Sequence, residues 1–209
     1  MRPSLPAGSP PTPDLLPSVG DILRYMSGAL RLMMGRPDGL QRLDLTADGF
    51  WGSFAAILVA LPPTILSWIE VETIERGGAR SADLLVYAAH ATADLVAWLF
   101  PMMVLMALAK PAGFSKKILP LVVSLNWGSA LVAWALTPLW VIILLFGANE
   151  ATTLIGAVAV LGAIVLTVRL VATATKSELP ISAAVVLVLL VCSFVAYAAV
   201  SDLLGVPLS

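Results

Sequence analysis

Five long apolar stretches dominate this chain, at roughly residues 49–69, 84–109, 118–146, 152–174 and 180–204. Each reaches the ~20 mostly apolar residues that a helix needs to cross the hydrocarbon core of a bilayer. Within that core a backbone must satisfy its own hydrogen bonds, so such stretches have to be helical. Of the 209 residues 59% are hydrophobic and 12% charged, and the mean hydropathy is +0.96. A soluble domain carries about twice that share of charge. The reading is an all-α polytopic membrane protein with five transmembrane helices preceded by an amphipathic membrane-surface helix. No sizeable soluble domain fits beside the five-helix domain at 49–209.

Ahead of the spans lie two different segments. Residues 1–19 hold prolines at 3, 6, 10, 11, 13 and 17 and little apolar content, so they read as a disordered tail without the apolar core of a secretory signal. Residues 20–48 hold an interfacial helix and a turn. In DILRYMSGALRLMMG, Ile22, Leu23, Met26, Ala29, Leu30, Met33 and Met34 share one helical face, opposite Asp21, Arg24, Ser27 and Arg31. That pattern suits a helix lying in the membrane surface, and equally a cap packed under the bundle. The run RPDG at 36–39 then turns the chain.

Short loops predict that successive spans pack as antiparallel neighbours. With the N-terminus cytoplasmic, the inside holds Arg2, Arg24, Arg31, Arg36, Arg42, Lys110, Lys116, Lys117, Arg169 and Lys176, and the outside only Arg76 and Arg80. The positive-inside bias therefore predicts N-terminus in and C-terminus out, in a bacterial inner membrane. Trp51, Trp68 and Trp140 near span ends suit an aromatic belt. Gly52 with Ala56, Ala159 with Ala163, and Ala196 with Val200 are small enough for close helix approach.

A basic amphipathic segment, the entry run GRPDGLQRLDLTADGFW at 35–51, five spans and an outside C-terminus together resemble the Yip family of small membrane proteins, in its bacterial branch. The resemblance covers the chain from about residue 21 onward. It implies a non-enzymatic membrane scaffold or organiser acting through helix packing and contacts with partners or lipid.

Ionisable residues inside spans raise a functional hypothesis by default. His90, the only histidine, precedes Asp94 by four residues on the second span, so both share a helix face near mid-membrane. Pro62 and Pro63 on span one lie at similar depth and free the carbonyls of Leu58 and Val59, with Thr64 beside them. Asp94 is expected to face this break, joined by Ser193 on span five, with Asn126 a weaker candidate. Two readings stand: a proton or cation relay, or a polar clasp that fixes helix register.

Other signals are plainer. Arg169 is read as snorkelling to the headgroups, and Asp202 as interfacial. Glu70, Glu72 and Glu75 read as a solvated outer loop, with Glu72 paired to Arg76. Cys192, the only cysteine, sits in an apolar run as an inert thiol and excludes an internal disulfide. No phosphate loop, metal motif or nucleophile elbow is present, so no enzyme, cofactor or metal is expected. A net charge of −1 without a dense basic run excludes nucleic acid. The basic cytoplasmic face of Arg24, Arg31, Arg36, Arg42, Lys116 and Lys117 fits anionic lipid or an acidic partner. A membrane-protein partner or a second copy would complete the scaffold. The rival function is a small transporter or channel subunit using Asp94 and His90, or an accessory subunit of a larger complex.

Overall fold

The computed structural model describes residues 17–75, 84–111 and 113–205. Most of the proline-rich tail, together with Arg76 and Arg80, lies outside the described residues. Among the described residues every regular element is helical, and five helices are long and apolar enough to cross a membrane.

Helix α1 (Val19–Met33) is capped by Ser18, whose hydroxyl accepts from the Asp21 amide. Gly28, Ala29, Leu32 and Met33 are buried, because this side of α1 packs across α5 (Ile118–Phe146) and α6 (Glu150–Thr175). Tyr25 meets the Trp127 ring at 4.9 Å between centroids, and Leu170 and Met33 close over Gly128. The apolar set expected on one face is therefore divided. Ala29 and Met33 are buried, while Leu23, Leu30 and Met34 are exposed alongside Val19. The chain reverses at Gly35 (φ +78°), and a 3-10 turn over Pro37–Arg42 folds back onto α1.

A short helix α2 (Ala47–Gly52), capped by Thr46, leads into α3 (Ala55–Glu75). The first spanning helix thus continues six residues beyond 69 and takes in Glu70 and Glu72. It also runs unbroken through Pro62 and Pro63. The Val59 carbonyl that Pro63 cannot reach accepts instead from Trp134 Nε1 at 2.9 Å, and Thr64 Oγ1 adds a bond to the Ala60 carbonyl at 2.8 Å.

The other spanning helices are α4 (Leu84–Ala109), α5, α6 and α7 (Leu179–Leu204). Asn149 starts α6 with a full capping box. Packing runs α3–α5–α6–α7–α4 around the bundle, which corrects the expectation that every pair of successive helices would be close neighbours. Helix α4 lies closest to α7, where Ala89 and Ala93 meet Val200. Small residues permit that approach. On its α3 side α4 presents His90, Asp94 and Trp98, and α3 presents Trp68 and Glu72, which hold the two backbones apart. Of the small residues marked for close approach, Ala56, Ala196 and Val200 are buried, whereas a Cβ on Gly52 would meet nothing within 4 Å.

Candidate intramembrane polar site

The seam between α3 and α4 is bridged by side chains. The helices are antiparallel, so the i,i+4 row Trp68–Glu72 faces the row His90–Asp94 in reverse order. Trp68 Nε1 donates to Asp94 Oδ2 at 2.6 Å, and His90 Nε2 lies 2.9 Å from Glu72 Oε1. The other ring nitrogen, Nδ1, lies 2.9 Å from the Tyr197 hydroxyl of α7. The Trp68 and His90 rings stack with centroids 6.1 Å apart and planes 16° apart, so the two bridges share one aromatic layer. Glu72, His90 and Trp68 are all buried.

This arrangement alters the expected cluster. His90 and Asp94 do share a face, but Asp94 is bonded to Trp68 and not to the Pro62–Pro63 step, whose Val59 carbonyl is taken by Trp134. Glu70 and Glu72 are not solvated loop residues: they are 7% and 4% exposed on the last turns of α3. Helix α3 continues through both to Glu75, and the Glu72 carboxylate is turned onto His90. Asn126 belongs to a separate network nearer α1, accepting from Trp98 Nε1 and donating to Ser53 Oγ, both at 2.9 Å.

Beside Asp94 opens a cleft of ≈ 530 Å³ to which all five spanning helices contribute. Thr64 and Ser67 come from α3, Asp94 and Trp98 from α4, Ser129 from α5, Thr167 from α6 and Ser193 from α7. Ser193 therefore joins Asp94 at the cleft while donating to the Ala97 carbonyl at 2.9 Å. The rest of the lining is apolar, with Met102, Leu125, Ile164 and Leu189 among it. A second hollow of ≈ 180 Å³ runs along the α3–α4 seam past Leu61, Trp68, Leu95 and Trp98, and Asp94 lines both. Such dimensions fall in the range of small-molecule sites, whose walls are mainly apolar with few polar groups.

The basic residues are largely occupied within the chain. Arg24 pairs with Asp21, Arg31 with Asp38, Arg42 bonds Ser27, and Lys117 bonds Ser177. Arg36 and Lys116 have no side-chain partner among the described residues. Arg169 does more than snorkel, donating from Nε and Nη2 to the carbonyls of Met33 and Met34 at the end of α1. No three His, Cys, Asp or Glu side chains among the described residues are grouped to hold a metal ion. No family model, curated protein or solved structure matches the chain.

Proposed function

We propose that the protein is a small membrane transporter or channel subunit in which Asp94 is the working carboxylate. One observation carries this reading: a carboxylate deep in the fourth helix lines a cleft built by all five spanning helices. A register clasp has no use for such a cleft. It would close both carboxylate oxygens against protein, whereas among the described residues only Oδ2 has a protein donor. Glu72, His90 and Tyr197 form a hydrogen-bonded chain centred on His90, one helical turn from Asp94 on α4, a suitable path for a proton. The bilayer is a bacterial inner membrane, with the α1 end cytoplasmic by the positive-inside bias. The test is proton flux into proteoliposomes at matched protein density. Flux in the wild type that Asp94→Asn abolishes supports the reading, and Asp94-independent flux, or none, counts against it.

A second reading, the Yip-like scaffold, draws on α1. Its outward stripe of Val19, Leu23, Leu30 and Met34 stays exposed while the opposite side packs on α5 and α6. A helix so placed would dip that stripe into the headgroup boundary. Of the six residues of the basic face, Arg36 and Lys116 then remain for contact with anionic lipid or an acidic partner.

A further inference from the structure

The hydrogen-bonding character of the cleft limits what it can hold. Thr64, Ser67, Thr167 and Ser193 each direct their one hydroxyl hydrogen to a backbone carbonyl, those of Ala60, Thr64, Ala163 and Ala97. A hydroxyl has one donor and two acceptor positions, so each of these groups offers the cleft acceptor capacity alone. The indole donors are also committed, Trp68 Nε1 to Asp94 and Trp98 Nε1 to Asn126. Among the described residues Ser129 is the one lining hydroxyl whose hydrogen is uncommitted. No lysine, arginine or histidine among the described residues lines the cleft, and Asp94 is the only ionisable group among them that does.

A site lined by acceptors, with a carboxylate and apolar walls, is complementary to a ligand that is a donor, a cation and largely hydrophobic. We infer that the cleft binds a primary or secondary organic ammonium with a compact apolar body, its N–H groups directed at Asp94. This rests on the reading of Asp94 as the working carboxylate and names its substrate class. An anion would find no counter-charge there, and a ligand with only acceptors would leave every acceptor unpaired. The α3–α4 hollow, which also reaches Asp94, gives an amphiphile a way in from the side of the bundle.

The experiment is a titration of the purified full-length protein in lipid nanodiscs, read by tryptophan fluorescence, since Trp68 and Trp98 border the site. The probes share one phenyl body: 2-phenylethylammonium, its N,N,N-trimethyl analogue, neutral 3-phenylpropanol and 3-phenylpropionate. The ammonium is expected to bind about tenfold or more tightly than the quaternary analogue, which has charge without donors, and the alcohol and carboxylate weaker still. Asp94→Asn, which keeps an acceptor for Trp68, is expected to weaken ammonium binding at least about tenfold, and Asp94→Glu to retain it. Equal binding of the neutral or anionic probe overturns the inference, as does ammonium binding that Asp94→Asn leaves unchanged. Asp94-dependent proton flux without ammonium binding removes the ligand class and leaves the proposed function standing. Asp94-dependent ammonium binding without flux does the reverse.

Discussion

His90 Nε2 lies 2.9 Å from Glu72 Oε1, with the two side chains 1% and 4% exposed. Each therefore supplies polar satisfaction that the other could find neither in solvent nor in lipid. The pair also spans the one seam of the bundle where neighbouring backbones stay apart, so it ties α3 to α4 by side chains.

The coupling can be measured with a double-mutant cycle on His90→Ala and Glu72→Ala, followed by unfolding in a mild denaturing detergent. Interhelical polar pairs in membranes contribute about 0.6 kcal/mol on average and about 1.7 kcal/mol at most. Such complete burial places this pair near the upper end. A coupling indistinguishable from zero would mean that the contact does not join the helices energetically.

Trp134 makes a different kind of repair. Its indole N–H replaces the backbone donor that Pro63 cannot provide to the Val59 carbonyl. Trp134→Phe should destabilise the protein by about 1–3 kcal/mol, the cost of an orphaned carbonyl. Pro63→Ala should offset much of that loss in the double variant, because it restores the amide at position 63. If Pro63→Ala costs as much in the Trp134→Phe background as in the wild type, the indole bond is not what satisfies Val59.

The five spans were legible because length and hydropathy suffice to define them: the second was expected at 84–109, where α4 runs Leu84–Ala109. The order of helices around the bundle was not legible. Loop length favours sequential neighbours, but side-chain bulk decides, and Ala89 and Ala93 draw α4 to α7. Glu72 was misplaced because a charge near a span end reads as loop. The clue lay in spacing, since Trp68–Glu72 and His90–Asp94 are matching i,i+4 rows on helices that run in opposite directions. The closure of the Val59 carbonyl by Trp134 had no local signal, since the donor lies 75 positions away in the chain. Acceptor-only hydroxyls around a shared cleft likewise emerge only when five helices are assembled.

The fold-back after α1 depends on two glycines facing each other. A Cβ on Gly39 would stand 2.5 Å from the Gly28 carbonyl oxygen, and one on Gly28 would stand 2.9 Å from that of Gly39. Both obstacles are backbone, so neither can rotate aside. Gly39→Ala should detach the Pro37–Arg42 turn and expose Leu40 and Leu43 to protease, with Gly28→Ala acting in the same direction. Cleavage near residue 40 at wild-type rates in both variants would show that the contact is dispensable.

Arg169 ties α1 to the bundle through the final carbonyls of that helix. Its Nε and Nη2 reach Met33 and Met34 at 2.9 and 3.1 Å, so one planar guanidinium spans two adjacent acceptors. A lysine is a single point donor and cannot reproduce that geometry. Arg169→Lys should therefore behave more like Arg169→Ala than like the wild type. Both variants should speed amide hydrogen exchange in the last turns of α1, as local opening becomes easier by about 1–3 kcal/mol. The spans themselves should exchange as before, because the carbonyls that Arg169 bonds belong to the end of α1. Unchanged protection over Leu30–Met33 in both variants would assign the docking of α1 to Leu32, Met33 and the Tyr25–Trp127 contact alone, and leave Arg169 with the snorkelling role that its position near the end of α6 first suggests.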